Sequence, residues 1–488
     1  MKTTDELSRE LRAHLKAGQL EAALALAWQI LDTEPDSLSA RLSVIHILSE
    51  QPNLVTDDRK SALERLLLHP AVDPRSVAPA GWHLLQETIR QLGMSAPEDT
   101  VPWLETDRFA QNLLKEACVT NVDAEIVLTR ARRWLLLSGR SREFPAAVEA
   151  LVTQARHNGG AWLFDDVERA QLKAHPTASI VHAFLPPRPA PSATDAGFSD
   201  AITAAVAEQY EGWPYPAWSR ATVFASGRLA ATIRKCDPHG PDSIPPAPEV
   251  LVAGCGTGYE PATWALRYPE AQITAIDLSS SSLRYGAQRC AAAGLHRIQF
   301  LQLDLHRVAE MGKTFDAIAC SGVLHHLPDP EAGWEALTKV LRPGGVMEVM
   351  VYSKIARMLV RAWRTQIADL LEEPIDDDLL RKVRKHFIDK GRPPLSPDFY
   401  DLGGVHDLLL HRQEDPFDVA RIKRAIQRFG LELIRFQLPT EFDRANYLRE
   451  NPQDSLFRNY ELWQAQELRR PDMFTQMYHF WCRKPLKS

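Results

Sequence analysis

The sequence is short of cysteine pairs, long apolar runs and positive charge. Its six cysteines, Cys118, Cys236, Cys255, Cys290, Cys320 and Cys482, are scattered and none belongs to a CxxC pair. That spacing excludes a disulfide framework and a zinc ribbon, and it fits reduced thiols in a cytoplasm. No apolar run approaches the ~20 residues that span a bilayer. The opening MKTTDELSRE carries acids and lacks the apolar core of a secretory signal. The 57 Lys and Arg are outnumbered by 63 Asp and Glu, for a formal net charge of -6. An overall basic attraction to nucleic acid or an anionic membrane is therefore missing. A cytoplasmic protein is expected, with no metal and neither nucleic acid nor membrane as partner.

What is present is ordinary for a globular chain: 488 residues, 45% hydrophobic and 25% charged. At roughly 100–200 residues per domain, this predicts two to four domains. Residues 1–185 read as helical. Leu7, Leu11, Leu15, Leu20, Ala23, Leu24, Ala27, Ile30 and Leu31 recur at helical spacing, with Gly18 as an interruption and Pro35 as a stop. This hairpin resembles a tetratricopeptide repeat of about 34 residues, and a poorer second copy runs through Arg41–Ile47 and Ala62–Leu68. A plain helical bundle fits the same pattern. Leu113, Leu114, Ala117, Leu128, Ala131 and Leu135 continue the helical period. Pro186, Pro187, Pro189 and Pro191 then break it, predicting a stiff linker over 186–198.

Residues 199–488 have another character. Short apolar runs beginning at Glu249, Gln272, Ile298, Phe315 and Gly345 alternate with helical stretches. That alternation predicts a parallel sheet covered on both faces. The first run feeds the turn Gly254-Cys-Gly-Thr-Gly258, whose glycines let a ligand approach the main chain. Asp277 and Asp304 end the next two strands, where a carboxylate can accept ribose hydroxyls or an adenine amine, with Leu303 and Leu305 beside the ring. Tyr259 stands where a dinucleotide motif has its third glycine, which disfavours a nicotinamide oxidoreductase, and no P-loop lysine follows.

The glycine turn, Asp277, Asp304, Ser321-Gly-Val-Leu-His-His-Leu-Pro-Asp329 and Leu341-Arg-Pro-Gly-Gly345 together resemble the class I methyltransferases. The resemblance implies a Rossmann-like seven-stranded α/β domain behind an all-α one, and S-adenosyl-L-methionine as cofactor. It places Gly254, Cys255, Gly256, Gly258, Asp277, Leu278, Asp304, Leu305 and Ser321 against that cofactor. The family's acidic residue two positions before the first glycine is Val252 here, so the amino group is expected to rely on carbonyls near Gly254 or Cys320. The aromatic turn Tyr210–Trp218, the stretch Asp401–Phe417 and the ending Met473–Lys484 are similar to a bacterial group with a tetratricopeptide-like N-terminal region.

His325 and His326 are candidates for a general base. Tyr210, Trp213, Tyr215, Trp218 and His411 are candidates for an acceptor surface; ordinary packing anchors are the other reading of the aromatics. Residues 353–420 predict a helical cap, with Ile355, Leu359, Trp363, Ile367 and Leu370 on an apolar face. Lys354, Arg357, Arg361 and Arg364 lie off that face and read as solvated. Tyr400, His406, His411, Gln413 and Glu414 do not match a metal motif. Cys320 reads as a small buried thiol. The acceptor is unnamed by the sequence, with a small molecule slightly favoured over a protein. The helical half is expected to recruit a protein partner or to self-associate. The alternative is a non-catalytic interaction protein, with the helical half binding a peptide and the second half structural or sensory.

Overall fold

A computed structural model describes residues 2–174, 184, 198–372, 374–438, 441–474 and 477–486. The proline-rich linker expected over 186–198 falls almost wholly outside the described residues.

The N-terminal half is all helix among its described residues. Thr3 closes a capping box with Glu6 at the start of helix Thr4–Lys16. Gly18 (φ +69°) turns the chain into helix Leu20–Thr33. After that hairpin come helix Leu38–Glu50, two 3-10 turns and the short helix Lys60–Leu67, so the second helical pair is irregular. Seven more helices follow, from Ala78–Leu84 to Asp166–Ala174. Leu24, Trp28, Val44, Leu114 and Leu128 share one core with many of their neighbours.

The C-terminal half is built on seven strands: β1 (Glu249–Ala253), β2 (Gln272–Asp277), β3 (Ile298–Gln302), β4 (Phe315–Ser321), β5 (Leu341–Val351), β6 (Glu432–Gln437) and β7 (Tyr478–Arg483). They lie in the order β3-β2-β1-β4-β5-β7-β6. The first five run parallel, and β7 enters antiparallel between β5 and β6. This is the expected Rossmann-like sheet. Alternate side chains serve opposite layers: on β7, Phe480 and Cys482 join the core around Trp334, whereas Trp481 joins the one around Trp264.

The cap between β5 and β6 holds helices Met358–Gln366, Asp377–Asp389 and Leu402–Leu410. Its first part differs from expectation. Leu359 is exposed, while Arg357 is 4% exposed, with Nε 2.7 Å from Glu414 Oε1 and its guanidinium over the Tyr352 ring. Arg357 thus sits inside, because Glu414, far off in sequence, supplies its counter-charge.

The two halves are bolted together. Arg384 of the cap is fully buried and forms a bidentate pair with Glu125 at 2.9 and 2.6 Å. Its remaining donors reach the Phe399 and Ala161 carbonyls. Nearer the sheet, Arg220 pairs with Glu116 at 2.6 Å, and Tyr259 donates to Asp73. Among the described residues, no helix is long and apolar enough to cross a membrane.

Candidate active site

Parallel strands deliver their C-terminal ends to one edge of a sheet, and a ligand crevice forms there. In this chain the edge carries the glycine turn after β1, Asp277 ending β2, Asp304 after β3, Ser321 ending β4 and Tyr352 after β5. A cavity of about 520 Å³ opens over it, within the usual range for a small-molecule site.

The glycine turn is held from both sides. Gly254 and Cys255 donate to the Ile276 carbonyl at 2.8 and 2.9 Å, and Gly256 donates to Asp277 Oδ2 at 2.7 Å. Gly254 (φ +71°) could not carry a side chain: a Cβ would lie 2.3 Å from Val323. At Gly258 (φ +81°) a Cβ would meet the Gly286 backbone at 2.8 Å, so this glycine pair brings helix Ser280–Ala292 onto the turn.

Asp277 lines the cavity, and its Oδ1 accepts from Ser279 N–H at 2.9 Å. Burial raises its pKa. Asp304 also lines the cavity. It accepts from His306 N–H and Ser199 N–H, both at 2.9 Å, and from His306 Nδ1 at 3.1 Å. Burial works against the Asp304 carboxylate, but these hydrogen bonds win and hold it below the usual range. Each carboxylate keeps unused lone pairs. Cys255, Leu278, Leu303, Leu305 and Ser321 complete this part of the wall.

The Ser199 bond does more than tune Asp304. It docks helix Ala201–Gly212, whose other end is fixed by Glu211 accepting from Ser281 Oγ at 2.6 Å. Thr203, Val206 and Tyr210 of this helix face the cavity. The aromatic turn then divides by role. Tyr215 lines the cavity and donates its hydroxyl to Asp398. Trp218 is not in the lining: its Nε1 donates to the Thr257 carbonyl at 2.8 Å, bracing the glycine turn from outside. Trp213 is also outside the lining, stacked on His406 with ring centres 4.6 Å apart.

The two histidines part company as well. His325 is fully buried and absent from the lining; its Nδ1 accepts from Tyr352 N–H at 3.1 Å. Burial drives its pKa well below normal. This ring holds the backbone of β5's end and cannot meet an acceptor. His326 does line the cavity. Its Nδ1 lies 2.8 Å from the Gln413 carbonyl, which makes Nδ1 the donor and leaves the lone pair on Nε2. Burial pushes its pKa down to about 4, so the ring is neutral at pH 7.

His411 stacks on His326 at 3.6 Å between ring centres. Its Nδ1 accepts from Gln413 N–H at 3.1 Å, so its Nε2 carries the proton and faces the Tyr210 oxygen at 3.2 Å. Tyr210 in turn donates to Asp407 Oδ1 at 2.6 Å. Burial raises Asp407 to about 7. His326, Asp407 and His411 bring three ligand-type atoms within 4.8 Å of one another. The protonated Nε2 of His411 suits a proton network better than a cation.

Sequence reasoning missed Glu260, Thr203, Val206, Tyr352 and Asp407 in this wall. Glu260 had a signal, an acid two residues past the last glycine of the turn. Tyr352 directly follows β5, and the other three come from helices that only the tertiary fold brings over the sheet.

Residues 251–347 match the family described as Methyltransferase domain. An uncharacterised protein of Synechococcus sp. is 29% identical over 337 residues, 60% of this chain and 74% of its own. The ubiquinone biosynthesis O-methyltransferase of Chromobacterium violaceum is 38% identical over 100 residues, 20% of this chain and 41% of its own, so the chain spans under half of that relative. Among solved structures, PKMT2 of Rickettsia typhi is similar at 19% identity and TM-score 0.40, over 52% of each chain. Residues 251–347 are thus a methyltransferase domain, set within the seven-stranded Rossmann-like sheet, and S-adenosylmethionine is its cofactor.

Proposed function

We propose that the protein methylates a small, neutral or cationic acceptor on nitrogen or oxygen, with His326 as general base. The observation that carries this reading is His326 itself: a neutral imidazole in the cavity wall, with Nδ1 tied down and the Nε2 lone pair left for an acceptor's proton. The Gln413 carbonyl then stabilises the imidazolium through Nδ1.

The residues present fit S-adenosylmethionine. Asp277 would take the ribose hydroxyls and Asp304 the adenine amine. Leu278 and Leu305 would flank the ring, and the Gly254–Gly258 turn would pass along the methionine end. Bound there, the cofactor supplies a methyl group on a sulfonium, a leaving group that needs no enzyme nucleophile. The chain's own task is to align the acceptor, remove its proton and keep water out.

Charge supports the acceptor class. Glu260, Asp277, Asp304 and Asp407 line the cavity, and no Lys or Arg does so among the described residues. An anionic acceptor would find no counter-charge there. Depth supports a small molecule: His326 and Asp407 are each 6% exposed, beyond the reach of a folded protein surface. Six unpaired cysteines suit the reducing cytoplasm.

The test uses purified protein, methyl-labelled S-adenosylmethionine and lysate of the source cell, with Asp277→Ala as control. Label in an acid-soluble product, lost in the control, is the expected result. Label in precipitated macromolecules would overturn the small-molecule assignment.

A further inference from the structure

Glu260 is a carboxylate in the cavity wall to which the roles above give no ligand. It sits in the first turn of helix Tyr259–Arg267, directly after the glycine turn. Among the described residues its carboxylate has a single hydrogen-bonding partner, Ser321, whose Oγ donates to Oε1 at 2.6 Å. The forces acting on it are burial, that one bond and repulsion from Glu348; no cation contributes. A carboxylate in such a place is costly unless a positive group is brought to it. The position predicted by the family resemblance cannot help, because Val252 is fully buried in the layer around Trp264.

The order of the strands says which positive group arrives. Asp304, Asp277, the glycine turn and Ser321 follow β3, β2, β1 and β4, which are consecutive neighbours in the sheet. Adenine amine, ribose and amino-acid portion would therefore lie along that edge in the same sequence. Three inter-strand steps of about 4.8 Å give roughly 14 Å, the scale of an extended adenosyl amino acid. Glu260, bonded to Ser321, stands at the end away from Asp304.

We infer that Glu260 receives the α-ammonium group of the cofactor's methionine portion, with Ser321 orienting the carboxylate. Oε1 is held by the serine hydroxyl and Oε2 is left for the ligand. The pair replaces, from the helix after the glycine turn, a carboxylate that β1 does not provide. This inference rests on the S-adenosylmethionine assignment, and its test separates the two.

The experiment measures equilibrium binding of S-adenosylhomocysteine and of 5′-methylthioadenosine to the full chain and to Glu260→Gln. The two ligands share adenosine and thioether; only the first carries the amino-acid ammonium. In the wild type, S-adenosylhomocysteine is expected to bind more tightly. In Glu260→Gln its affinity falls about tenfold or more, as for a lost charge-assisted hydrogen bond, while 5′-methylthioadenosine is unaffected. The second ligand also reports that the variant's pocket is folded. Equal losses for both ligands, or no loss for either, would overturn the assignment of Glu260 alone. Failure of the wild type to bind either ligand would overturn the cofactor assignment and Glu260's role with it.

Discussion

Tyr259, the residue that follows the last glycine of the cofactor turn, donates its hydroxyl to Asp73 of the N-terminal helical region at 2.9 Å. Asp73 is itself fixed by Arg75, which also lies over the Tyr259 ring at 4.6 Å. The helical half is thus part of what holds the glycine turn in place. Tyr259→Phe is expected to cost about 1 kcal/mol of stability. It should also loosen S-adenosylhomocysteine binding several-fold, because the turn loses an outer support. Urea unfolding and calorimetric titration check both. Unchanged affinity would mean that the contact serves stability alone.

The Glu125–Arg384 pair carries a larger load. Glu125→Ala leaves a fully buried guanidinium without its counter-charge. A loss of about 3–5 kcal/mol is expected. Denaturant unfolding should show it as a lower midpoint, and a change below 1 kcal/mol would show that water or a neighbour takes over the charge.

His326 and His325 should separate cleanly in kinetics. His326→Ala is expected to lower kcat by about 10²–10⁴-fold with S-adenosylhomocysteine affinity intact. His325→Ala should lower the melting temperature through the lost Tyr352 N–H bond. If His326→Ala keeps full kcat, the acceptor sheds its proton without this ring.

Stability should respond to pH through Glu260. Burial raises its pKa from the ordinary 4.5 to about 8 in the ligand-free protein. Below about 4.5 the group is protonated in both states and its stabilisation is full. As pH climbs towards 8 the unfolded chain has shed the proton and the folded one still holds it, so that contribution is lost. Glu260→Gln carries no such proton. Its melting temperature relative to wild type is therefore expected to rise between pH 5 and pH 9, and a falling difference would contradict the shift. S-adenosylhomocysteine should shrink the wild-type pH dependence by supplying the counter-charge.

The sheet was legible because each strand announces itself locally. Val250, Leu251 and Val252, for instance, run into glycine. Asp277 and Asp304 were legible because a strand's end is also the site's edge. The remaining wall was hidden by distance in sequence. Nothing near Asp407 shows that Tyr210, 197 residues earlier, donates to it. Trp213 and Trp218 look alike beside their prolines, and only packing tells that one stacks on His406 and the other braces Thr257. Arg357 read as solvated until its partner Glu414 was placed. His325 and His326 are adjacent in sequence, but only His326 lines the cavity.

The strand order also bears on how the molecule is made. During synthesis β6 emerges before β7, yet among the described strands it pairs with β7 alone. Until β7 leaves the ribosome, β6 has no edge to join and β5 exposes one. A nascent chain stalled before Tyr478 would leave β5 and β6 both without the partner that joins them, a template for wrong pairing. Arrival of β7 seals both in a single insertion, with Arg483 closing on Asp237 behind it. The parallel strands can pair before then, but β6 joins the sheet only through β7.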